Sequence, residues 1–124
     1  MSQTAVPSER RVAAVTHQGE KFAEKYYQAF GTSVGKFYTE QSRVMWNGTP
    51  FLGAQFKEAL PQVQSYYTQF EVAALDVQPL GDCFMACVTG TVRAGGNKSQ
   101  FAQNFVVRKE NNLSHIVSDC FRLV

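Results

Sequence analysis

The 124 residues suit one domain, large enough to bury roughly two-thirds of its unfolded surface and to hold a core without disulfides. Hydrophobic residues make up 44% and charged residues 18%, a globular balance whose low charged share leaves room for an adhesive surface. The net charge of +2 comes from scattered Lys and Arg, adjacent only at Arg10-Arg11 and Arg108-Lys109, and this argues against a nucleic-acid binder, which needs a clustered basic face.

Residues 1–7 are small and polar, include Pro7, and are expected to form a loose arm on a single domain spanning 1–124. Ser8 can cap a helix that starts at Glu9. Val12, Val15, Phe22, Ala23, Tyr26, Tyr27 and Phe30 recur at threes and fours, the spacing of one buried stripe. Gly19 interrupts the stripe and predicts a close approach by another element; Gly31 predicts the helix stop. Residues 33–38 read as one further helical turn.

Arg43-Val44-Met45-Trp46 alternates like a strand, Asn47-Gly48 is a strong hairpin signal, and Thr49 to Leu52 returns as its partner. A short helix is expected over 54–60, broken at Pro61, with a loose helical turn over 62–69. Four long strand-like runs follow, at 70–77, 82–94, 100–109 and 113–124. The turn chemistry between them lies at Pro79-Leu80-Gly81, Gly95-Gly96-Asn97 and Asn111-Asn112. Such short connections make neighbours antiparallel. Helices first and a meander afterwards predict an α+β domain with helices on one face of a bent antiparallel sheet.

Alternation then divides the long strands into two faces. One carries Phe84, Ala86, Val88 and Val92, then Phe101, Gln103, Phe105 and Val107, then His115, Val117, Asp119, Phe121 and Leu123. The other carries Cys83, Met85, Cys87, Thr89 and Thr91, then Ala102, Asn104, Val106 and Arg108, then Ile116, Ser118, Cys120, Arg122 and Val124. An antiparallel sheet with one wet side should show a charged face opposite its apolar one. This second face is instead small, sulfur-bearing and amide-bearing, with Arg108 and Arg122 as its cations. The chain's own helices can cover only one side, so a second protein is expected against the other. Met85, Cys87, Asn104, Val106, Arg108, Ser118, Cys120 and Arg122 are the expected contact residues.

Catalytic and metal readings are weaker. Cys83, Cys87 and Cys120 are odd in number and lack ligand spacing, so they read as free thiols of a reducing compartment, with no metal or cofactor expected. His115 and Asp119, four apart on one strand face, could meet Tyr26, Tyr27 or Tyr38 in an acid–base set. No nucleophile, glycine loop or metal pattern accompanies them, and the favoured reading is a buried Asp satisfied by hydroxyls, with no enzyme activity. No run reaches the roughly 18 apolar residues of a membrane span, and residues 1–9 lack the apolar core of a secretory leader, so a nuclear or cytoplasmic place away from membranes is expected.

Taken in order, certain pieces carry a family likeness: Phe22-x-x-x-Tyr26-Tyr27, Met45-Trp46-Asn47-Gly48, Asp76-Val77-Gln78-Pro79, Phe101-x-Gln103-Asn104-Phe105 and Ser118-Asp119-Cys120-Phe121-Arg122. Over nearly its full length the chain resembles the nuclear transport factor two-like family, and within it the mRNA-export branch. The resemblance implies a cone of three helices on a strongly bent antiparallel sheet. It also implies a heterodimer with the similar domain of a larger mRNA export receptor, formed through the open sheet face. Such a heterodimer would carry mRNA without much RNA contact by this subunit, reach phenylalanine-glycine nucleoporins, and shuttle between nucleus, pore and cytoplasm. Arg122 is similar to the family's interfacial cation. The importer branch, a homodimeric carrier for Ran-GDP, has acids where this chain has Asn47 and Gly95-Gly96-Asn97-Lys98; isomerases and dehydratases share the fold.

Overall fold

A computed structural model of the protein describes residues 8–124; the expected arm at 1–7 lies outside them. The order is α1 (Glu9–Ala29), a 3-10 turn (Val34–Phe37), β1 (Tyr38–Trp46), β2 (Thr49–Leu52), α2 (Gly53–Tyr66), β3 (Tyr67–Leu80), β4 (Cys83–Ala94), β5 (Asn97–Glu110) and β6 (Leu113–Leu123). All six strands form one sheet in the order β2-β1-β6-β5-β4-β3. The meander β3 to β6 is antiparallel, as the short turns require, whereas β1 runs parallel to β6.

Turn chemistry sets the hairpins. Asn47-Gly48, Gly95-Gly96 and Asn111-Asn112 all take positive φ at both positions, the conformation that matches the twist of tightly linked strands. The helices follow local signals less closely. Ser8 accepts the Arg11 N–H at 3.1 Å and so begins α1. Gly31 does not take the left-handed conformation of a helix stop; Thr32 N–H bonds the Ala29 carbonyl at 2.9 Å and the chain turns onward. The third helix is only the 3-10 turn, since Ser33, Val34 and Gly35 are poor helix formers. Pro61 does not end α2, which continues to Tyr66. Beyond the proline, Gln64 donates through Nε2 to the Phe30 and Thr32 carbonyls at 2.8 and 3.3 Å, so tertiary bonds hold the last turns that propensity alone would give up.

The helices lie on one side of the sheet and enclose an aromatic core. Phe22 of α1 meets Phe37, Phe84 and Phe105 edge to face, and Trp46 of β1 stacks on Phe121 of β6 at 4.1 Å between centroids. Gly19 is the close approach expected of it: a Cβ there would sit 2.5 Å from both Val77 methyls. Val12, placed in the stripe by its spacing, is exposed at the free end of α1.

Bulges bend the sheet. The β3 register against β4 shifts between Thr68 and Glu71, where Gln69 takes φ 54°, and again between Val72 and Ala74. Gly90 of β4 faces the second shift, and a Cβ there would lie 1.9 Å from the Glu71 carbonyl oxygen. Backbone atoms cannot yield as a side chain does. Gly90→Ala is therefore expected to lower the unfolding free energy by about 2 kcal/mol or more in urea titration; unchanged stability would mean the bend does not depend on this contact.

Candidate partner-binding face

The outer side of the sheet is built from rows that cross the strands. One row runs Arg43, Ser118, Val106, Met85, Gln78 from β1 to β3. The next runs Met45, Cys120, Asn104, Cys87, Asp76, and the one above it Arg122, Ala102, Thr89, Ala74. Seven of the eight residues expected at the contact lie in these rows, and Arg108, two residues past Val106 on β5 and paired with Cys83 and His115, lies on the same side. Arg122, Cys120, Asn104 and Arg108 are exposed; Ser118, Val106, Met85 and Cys87 are half-buried by their neighbours. On β4 and β6 this surface holds no carboxylate; Glu110 stands at the far end of β5, two residues past Arg108, and Glu71 and Asp76 enter at the β3 edge. Arg108 lies 3.6 Å from Asp82, an exposed pair of little energetic weight. Arg43 and Arg122 make no ion pair among the described residues.

Arg43 and Met45 extend the face beyond what alternation assigned. Their own alternation with Val44 and Trp46 was plain, but only the parallel pairing of β1 with β6 makes them neighbours of Ser118 and Cys120. Sequence pattern carries no signal for which distant strand closes a sheet.

One bulge corrects the face assignment of β6. Val106 pairs with Ser118 and Val107 with Ile116, so Val117 is an extra residue. The slip turns Ile116 into the core, 1% exposed, and His115 out of it, opposite Arg108. His115 and Asp119 do not share a face, and the acid–base set does not assemble. The His115 Nδ1 atom is buried without a hydrogen-bond partner.

Asp119 instead closes a polar cluster under the helices. Tyr38 donates to Oδ2 at 2.5 Å and Gln103 Nε2 to Oδ1 at 2.9 Å. Tyr26 and Tyr38 hydroxyls lie 2.7 Å apart, and Tyr27 donates to Gln103 Oε1 at 2.8 Å. Burial pushes the Asp119 carboxyl up to about 7, against the opposing pull of the Tyr38 and Gln103 hydrogen bonds. Burial likewise raises the Tyr26 and Tyr38 hydroxyls well above their ordinary range, with the nearby carboxyl adding to it. Phe22, Phe30, Phe37 and Phe105 pack around Tyr26, so rings fill the interior where a substrate would have to lie.

The nuclear transport factor 2 (NTF2) domain matches residues 18–123. The chain belongs to the NTF2 domain family. It is 31% identical over 124 residues to the NTF2-related export protein of Caenorhabditis elegans, covering 87% of each chain, and so resembles the export branch. It is 29% identical over 113 residues to the nuclear transport factor 2 of Kluyveromyces lactis, covering 84% of this chain and 90% of that one. Among solved structures it resembles a putative dehydratase of the NTF2-like family from Streptomyces avermitilis, with a TM-score of 0.76, 12% identity, and 90% and 98% of the two chains covered. At that identity the likeness speaks for the NTF2 fold alone, and this fold serves carriers and enzymes alike.

Proposed function

We propose that this NTF2-family chain is a non-enzymatic binding subunit in nuclear mRNA export. Its outer sheet face pairs with the similar domain of a larger export receptor. The heterodimer then supports passage through the nuclear pore by way of phenylalanine-glycine nucleoporins, touches RNA only indirectly, and moves between nucleus and cytoplasm. The observation that carries this reading is the carboxylate-poor outer surface of β4, β5 and β6, rich in sulfur, amide and small side chains, with Glu110 only at the end of β5. A wetted sheet face of that size with so few charges is rare on a monomer. The name of the worm relative, an export protein, points the same way. Among the described residues no helix is long and apolar enough to cross a membrane.

A second reading, a homodimeric import carrier for Ran-GDP, draws on the relatives named nuclear transport factor 2. Against it, Asn47 commits its side chain to the Leu123 N–H at 3.1 Å, and the β4–β5 turn offers Lys98 in place of an acid. An isomerase or dehydratase role is disfavoured because Asp119, with Tyr26 and Tyr38, is sealed by rings.

Expressed alone, the chain is expected to self-associate in light scattering. Co-expressed with the receptor's similar domain, it should elute as a one-to-one complex. A chain that stays monomeric at high concentration, and that retains no companion from nuclear extract, would refute the proposal; a stable complex with Ran-GDP on gel filtration would favour the importer.

A further inference from the structure

A groove of about 580 Å³ opens where the outer face meets the β1–β2 hairpin and the start of α2. Its walls are Met45, Pro50, Phe51, Leu52 and Cys120, with Arg43 at the rim. The walls are apolar but wet: Leu52 is 55% and Met45 42% exposed. The shape is held firmly. Phe51 packs edge-on against buried Phe56 at 5.5 Å, and Gln55 Oε1 accepts the Leu52 N–H at 3.0 Å. Gly53 lets α2 start hard against β1, since a Cβ there would sit 1.7 Å from the Thr39 carbonyl oxygen.

Resting on the functional reading above, we propose that this groove is a second anchoring site for the same larger partner. It takes a bulky apolar side chain of that partner, adjoined by an Asp or Glu that pairs with Arg43. Continuity is the first argument. Met45 lies in the row of Cys120, Asn104 and Cys87, so a body seated on β4 to β6 reaches the groove across two strand spacings, about 10 Å, without leaving the surface. Charge is the second. Arg43 is exposed, makes no ion pair among the described residues, and stands beside the apolar walls. A guanidinium on the rim of an apolar pocket matches an anchor with a neighbouring carboxylate, which can be held bidentately. Uncharged phenylalanine-glycine repeats would satisfy the walls and leave Arg43 idle, so the acidic partner segment is the better occupant.

The test uses the intact chain with its larger receptor. Leu52→Asp and Arg43→Glu should each weaken the heterodimer tenfold or more in calorimetric titration. Leu52 occupies the N-cap of α2, where Asp is the better cap, so the fold is not endangered; unchanged thermal melts would verify this. Backbone amides of residues 51–55 should exchange more slowly in the complex. A heterodimer within twofold of parental affinity in both variants, with those amides unprotected while Arg122→Glu still breaks pairing, overturns the groove site and leaves the functional reading standing. Failure of any heterodimer to form overturns both. Binding of an acid-free Phe-Gly repeat peptide to the isolated chain, unaffected by Arg43→Glu and abolished by Leu52→Asp, overturns the proposed occupant.

Discussion

Asp119→Asn is expected to abolish a loss of stability that the parent protein undergoes between about pH 4 and pH 7. The sign follows from burial. The folded carboxyl holds its proton to about 7, whereas the unfolded one releases it near 3.8. Below the lower value both states are protonated and the native cluster keeps its full stability. Between the two, the unfolded chain loses a proton that the native state retains, so each pH unit costs about 1.4 kcal/mol, on the order of 4 kcal/mol in all. Asn carries no titratable proton and can still meet Gln103 and Tyr38, one as acceptor and the other as donor. Urea unfolding of the two proteins from pH 4 to pH 8 reads the difference directly, because every other titrating group cancels. Parallel curves would mean the Asp119 carboxyl is charged in the native state, and the sealed cluster would have to be opened to water.

Arg122→Glu is expected to break pairing with the larger receptor and leave the isolated fold intact. Arg122 is exposed on β6, its row continues through Ala102 and Thr89, and it makes no ion pair among the described residues. Small neighbours leave the guanidinium clear for a carboxylate from outside. Losing one partner of a desolvated charge pair costs roughly 2–5 kcal/mol, about 30-fold to several thousand-fold in affinity, and a glutamate adds like-charge repulsion. Since no hydrogen bond or ion pair among the described residues uses this side chain, the melting temperature should move by no more than about 2 °C. Co-purification of Arg122→Glu with the receptor at full yield would rule out this placement. Arg122→Lys should retain the charge, lose the two-pronged geometry, and fall between.

The helix-then-meander order, the tight hairpin turns and both faces of β4 and β5 were legible from spacing. They depend on turn chemistry and alternation, which act over a few residues. What was misread needed information from elsewhere in the chain. Pro61 looked like a helix end until Gln64 was seen tied to the carbonyls of Phe30 and Thr32. His115 and Asp119 looked like neighbours on one face because alternation assumes a regular strand, and the Val117 bulge breaks it. The eight expected contact residues fell on one surface because Ser118, Cys120 and Arg122 lie beyond the bulge and the other five are on the unbulged β4 and β5.

Local sequence thus determined the elements, the turns and the sparse charge of the outer face, since each follows from side chains a few positions apart. Tertiary structure alone decided that β1 closes against β6 in parallel, which brings Arg43 and Met45 onto the face and opens the groove beside it. It also decided that Asp119 is sealed beneath aromatic rings and bound to Tyr38 and Gln103. Both outcomes join residues more than 70 and 15 positions apart respectively, for Met45 with Cys120 and Gln103 with Asp119. The free energy that holds such pairs comes from burying many groups at once, which no short stretch of sequence encodes.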